Sequence, residues 1–134
     1  MFVNNLIWKR WWPILLWMGM IFAFSAQPSD ALPSFGVWDI LLKKGAHFTA
    51  YAILGLLVFR ATGEWKRPFL FAFVITVLYA AGDEFHQLFV PGRHGTLRDV
   101  LIDMAGGLTG LTILYRARLK QKQMQSPMPM SDRP

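Results

Sequence analysis

The sequence predicts an all-α fold, a four-transmembrane-helix bundle with both termini in the cytoplasm. Three observations carry that prediction. The chain is 54% hydrophobic and only 16% charged over 134 residues, too apolar for an ordinary soluble domain of this size. Four long apolar runs are separated by short polar links. Lys and Arg collect on alternate links, the bias that orients helices in a membrane. The formal charge of +6 does not point to nucleic acid, because the basic residues punctuate apolar runs instead of covering a soluble surface. With no cysteine in the chain, disulfides and thiolate metal sites are excluded.

The first run, Trp11 to Ala26, follows Lys9 and Arg10, as in a signal peptide or a signal anchor. Counting Leu6 and Ile7 gives a span over about residues 6–26, close to the roughly 20 residues that cross a hydrocarbon core. Trp8, Trp11 and Trp12 suit an interfacial belt. Phe24 stands three residues before a cut at Ala26, which spoils a small-x-small cleavage site, so an uncleaved anchor is expected. The second span, about 41–60, is long enough only if Leu41 to Lys44 form its first turn, with the lysines reaching the interface. Pro68 suits the first turn of the third span, about 68–89, and Thr62 and Gly63 punctuate the link before it. The fourth span covers about 97–115.

With the N-terminus inside, the cytoplasmic side, termini included, holds ten of the 14 basic residues, and only Lys43, Lys44, Arg93 and Arg98 fall on the other side. The acidic residues distribute the opposite way. Asp30, Asp39, Asp83, Glu84, Asp99 and Asp103 lie outside or near that face. The transmembrane domain thus covers residues 1–118, and the polar, Pro-interrupted stretch 119–134 reads as a disordered cytoplasmic tail.

The charges near the outer face form helical stripes. Lys44, His47 and Tyr51 are spaced three and four apart, so one face of the second helix carries them. Asp83, Glu84 and Gln87 share a face at the end of the third. Asp99 and Asp103 lie one turn apart on the fourth, followed by Gly106, Gly107 and Gly110, whose GxxxG spacing permits close helix packing. Arg93 and His94 sit at the tip of the short link between the last two spans. A lone charge at a helix end needs no function, since it snorkels to water. Asp103 lies a turn inside an apolar run, where an ionised carboxylate is expensive unless paired; Lys44, Arg93 and Arg98 are the available partners. The alternatives for the cluster are a binding pocket and a structural ion-pair network.

These residues resemble a known family. KGAHFTAY (44–51), DEFHQLFVPGR (83–93) and DVLIDMAGG (99–107), with FSAQP (24–28) ending the first span, are similar to the VanZ-like family of small bacterial membrane proteins. The resemblance runs from about Phe24 to Gly110 and departs at Asp103, where many relatives are expected to carry asparagine. The founding member is associated with resistance to teicoplanin, a lipoglycopeptide acting outside the cytoplasmic membrane. The resemblance therefore implies a multi-pass protein of the cytoplasmic (inner) membrane. Its pocket would bind a membrane lipid or lipid-linked envelope precursor and alter teicoplanin-type susceptibility.

In that reading Lys44, Arg93 and Arg98 meet phosphate or carboxylate, while His47, Tyr51, Asp83, Glu84, Gln87, Asp99 and Asp103 complete the pocket. The alternative is an enzyme acting on a lipid or peptidoglycan precursor, with Glu84 or Asp99 as base and His47 as acid or base. A small transporter ranks below both, four spans being few unless the fourth span drives homo-oligomerisation. No cofactor and no metal is expected. A metal set of His47, Glu84, His86 or His94, and Asp103 is the weakest version, because no HExxH-like spacing occurs and Glu84 and His86 point to different sides of a helix.

Overall fold

A computed structural model describes residues 2–28 and 36–125, with the side chains of residues 2–7 and 37 left aside. The described residues form four α-helices and no strand: α1 (Phe2–Ser25), α2 (Asp39–Ala61), α3 (Pro68–Gln87) and α4 (Leu97–Gln125), with a short 3-10 turn (Gly36–Trp38) leading into α2. Three of them, α2, α3 and α4, are long and apolar enough to cross a membrane. Their outward faces carry exposed Leu41, Leu42, Leu70, Leu78, Phe85, Leu101, Leu108 and Ile113, an apolar belt far larger than a soluble monomer presents to water. The chain is a multi-pass membrane protein.

Local chemistry sets the helix limits. Pro68 occupies the first turn of α3, where its missing N–H costs no bond. Between α3 and α4, Gly92 has φ +70° after Pro91, and the Arg93 amide donates to the Val90 carbonyl at 3.1 Å. This is the signature of a type II turn, whose third position favours glycine. Thr96 then caps α4. Its Oγ accepts from the Asp99 amide at 3.2 Å and donates to the Asp99 carboxylate at 2.6 Å, and that acid sits favourably at the helix's positive end. At the other end, α4 continues to Gln125, seven residues into the stretch expected to be disordered; residues 126–134 lie outside the described set.

The core lies along the α2–α4 contact. Gly106, Gly107 and Gly110 are buried, and a Cβ at Gly106 or Gly110 would strike the backbone carbonyl of Phe48 or Ala52. A Cβ at Gly107 would come within 2.6 Å of Thr76 Cγ2, and one at Gly55 within 2.5 Å of the Gly107 carbonyl. The GxxxG face thus serves helix packing within the chain, because the absence of side chains lets α2 close on α4. Helix α1 leans on α2 and α3 through polar ties. The Trp17 indole donates to the Ala50 carbonyl at 2.9 Å, and the Tyr79 hydroxyl to the Met18 carbonyl.

At the end holding the α2–α3 link, Phe59, Phe69 and Tyr115 pack edge to face, and Arg118 lies over the Phe59 ring at 4.6 Å. There Arg10 donates to Glu64 at 2.6 Å and holds that carboxyl below the usual carboxylate range. The stabilisation from a depressed carboxyl is present above its unfolded pKa and is lost as pH falls through the folded one.

The seam predicts a graded response to methyl groups. Gly110→Ala is expected to cost about 1–3 kcal/mol, as overpacking against backbone does. Gly45→Ala, which meets open space, should be neutral or stabilising by up to about 1 kcal/mol. Reversible unfolding in mixed detergent micelles measures both.

Candidate functional site

The helix ends opposite Glu64 converge on a polar interior. α2 supplies Lys44, His47 and Tyr51 from one stripe, α3 supplies Asp83, Glu84 and Gln87, and α4 supplies Asp99 and Asp103. A cavity of about 310 Å³ runs between them, from exposed Ile40, Gly92 and His94 at its rim to buried Glu84, Gln87 and Asp103 at its floor.

Its deepest part is organised by Asp83, which is 3% exposed. One carboxylate oxygen accepts from Ser25 Oγ at 2.7 Å, the Tyr51 hydroxyl at 3.2 Å and Gln87 Nε2 at 3.4 Å. Ser25 brings the end of α1 into this network. Above it stands Glu84, also buried, which accepts from Gln87 Nε2 at 3.1 Å and from the Thr96 amide at 3.3 Å. Beside it lies Asp103, fully buried, with His47 Nδ1 at 3.5 Å from Oδ1, long for a hydrogen bond. Among the described residues neither Asp103 oxygen has a hydrogen-bond partner. His47, Glu84 and Asp103 each present one donor atom within 4.8 Å of the others, the one grouping among the described residues arranged as metal ligands would be.

Nearer the surface, Lys44 forms an ion pair with Asp99, whose other oxygen takes the Thr96 hydroxyl. Lys43 pairs with Asp39 at 2.7 Å. Arg93 lines the cavity, but its guanidinium donates to the carbonyls of Gln27 at 3.1 Å and Phe24 at 3.0 Å. It closes the C-terminus of α1, where a cation also meets the negative helix end.

The structure thus gathers Lys44, His47, Glu84, Gln87, Arg93, Asp99 and Asp103 around the cavity, with Tyr51 and Asp83 in the network at its base. Arg98 is exposed and does not line it; one residue before Asp99, it is turned about 100° away from the Asp99–Asp103 stripe. His86 also points elsewhere, its ring 4.4 Å from that of Phe22. Residues not singled out as site residues from sequence are Ser25, Asp39, Lys43 and Thr96, while His94, named there only as an alternative metal ligand, lines the cavity rim. For Thr96 a signal existed, the T-x-x-D pattern before an apolar run. For Ser25 none did beyond its place in the FSAQP segment.

Fold and site together define a small polytopic helical membrane protein with an ionisable cluster buried at one end. The family model of VanZ/LLP1 matches residues 10–119, and the chain belongs to that family. Comparisons with curated proteins and with solved structures found no match.

The two arginines should respond differently. Arg93→Ala is expected to destabilise by about 1–3 kcal/mol, because it strips donors from the last carbonyls of α1, and to speed amide exchange over residues 22–28. Arg98→Ala should stay within about 0.5 kcal/mol of wild type. Detergent unfolding with hydrogen exchange reads both effects.

Proposed function

We propose that the cavity binds the anionic headgroup of a membrane lipid or lipid-linked envelope precursor on the non-cytoplasmic side of the inner membrane. The observation that carries this reading is the combination of a headgroup-sized cavity, with Lys43, Lys44 and Arg93 in its wall, and an apolar rim. Ile40, Leu41, Leu42, Leu88, Phe89 and Leu97 are all exposed around that end of the bundle, a surface suited to acyl or prenyl chains while a phosphate displaces Asp39 and Asp99 from Lys43 and Lys44. The orientation rests on the ten basic residues carried by the two terminal segments and the α2–α3 link on the opposite side. It takes α1, 24 residues long and with Leu15, Leu16 and Phe22 exposed, as a fourth span. Membership of the family makes teicoplanin-type susceptibility the phenotype of interest, through altered access to envelope precursors.

A second reading is favoured by one specific contact. His47 is half-buried and lies within 4.8 Å of both Asp103 and Glu84, in reach for acid–base chemistry on a bound headgroup. Asp99 fits that role less well, being occupied by Lys44 and Thr96.

The test is binding of a polyprenyl phosphate to the purified protein in nanodiscs, followed by native mass spectrometry. The expected result is retention of polyprenyl phosphate over phosphatidylcholine. Lys44→Ala should weaken binding about tenfold or more, the loss of one charge-assisted contact. Equal retention of the neutral lipid, or no effect of the substitution, would contradict the proposal. Turnover of envelope precursors that disappears in both Glu84→Gln and Asp103→Asn would put the enzyme reading first.

A further inference from the structure

Asp103 is a fully buried carboxylate without a hydrogen bond among the described residues, yet it faces a cavity and not an apolar wall. A buried acceptor without a donor calls for a partner from outside the protein: a water, a proton or an ion. A water would serve only the lone pairs of Asp103, and a proton would neutralise only one of the two acids, whereas a single cation reaches both Asp103 and Glu84, whose oxygens lie within 4.8 Å of each other. Lys44, the nearest lysine on the same stripe, is committed to Asp99. A cation answers both needs.

We infer that His47, Glu84 and Asp103 form a divalent-cation site, with three protein ligands from three helices and an open position facing the cavity. The His47 Nδ1 to Asp103 Oδ1 separation of 3.5 Å is too long for a good hydrogen bond. It is, however, close to the edge of a tetrahedron around an ion bonded at about 2.1 Å, which is about 3.4 Å. Glu84 completes the set within 4.8 Å, so closure by at most about 1.4 Å brings its oxygen to the tetrahedral spacing. Its carboxylate is already oriented by Gln87 and the Thr96 amide, the kind of outer contact that fixes metal ligands.

One imidazole with two carboxylates suits zinc or manganese better than magnesium or calcium, which prefer oxygen alone. Three protein ligands plus an open position is the arrangement of sites that bind a further ligand. The donors come from different helices, so the sequence contains no metal-binding spacing. This inference goes beyond the headgroup reading and does not depend on it.

The test uses the full-length protein in detergent, stripped with a chelator and titrated with Zn²⁺ and with Mn²⁺ alone, no envelope lipid being added. One equivalent of at least one of the two ions per chain is expected after gel filtration. Asp103→Asn and His47→Ala should each weaken binding more than about 100-fold, beyond the loss of an outer-shell partner. His86→Ala, remote from the cluster, should leave it unchanged. Far-UV circular dichroism verifies that each variant keeps its helices, and where one does not fold, the other and Glu84→Gln carry the comparison. No stoichiometric uptake of either ion by wild type, or uptake that survives the substitutions, meaning an adventitious ion only, overturns the assignment.

Discussion

An ionised carboxylate taken out of water costs several kcal/mol unless its neighbours compensate it, and this bundle buries three carboxyl groups, Asp83, Glu84 and Asp103, at one end. Much of the architecture answers that constraint. Ser25, Tyr51 and Gln87 turn donors toward Asp83, while Gln87 and the Thr96 amide serve Glu84. The cavity brings the remaining acidic groups within reach of solvent. The glycine seam is what makes the geometry available. With Gly106 and Gly110 against the α2 backbone, Asp103 about one turn earlier is brought to 3.5 Å from His47.

The loop between α3 and α4 links this site to the fold. The Pro91–Gly92 turn directs Arg93 toward the end of α1, and the same segment delivers Thr96 to cap α4 and to hold Glu84. One short connection therefore fixes the helix that carries Ser25, the helix that carries Asp103, and the orientation of the acid between them. A change in this loop would alter the site's charge and its shape together.

Much of this was legible in the sequence because helices impose a period. Spacings of three and four placed Lys44, His47 and Tyr51 on one stripe and Asp99 and Asp103 on another, and the apolar runs located the helices within a few residues. Contacts across long sequence separations were not legible. Nothing local says that Ser25 meets Asp83, 58 residues away, or that Arg93 serves backbone carbonyls instead of lining the site as a free cation. Gly55 gave no sign of opposing Gly107. The length of α4 escaped for a different reason. Hydropathy detects where a helix leaves the apolar region, and Arg116, Arg118, Lys120 and Lys122 continue it as a polar helix, since long basic side chains keep their charges in water.

The central claim is that the carboxylate cluster opens to the outside of the cell, away from the Arg10–Glu64 end. Because the chain has no cysteine, single cysteines report on this directly. His94→Cys at the cavity rim and Glu64→Cys in the opposite link, challenged in intact cells with a membrane-impermeant maleimide, form the decisive pair. The account predicts labelling of the cysteine at 94 in whole cells and of the one at 64 only after lysis. The reverse pattern would contradict it.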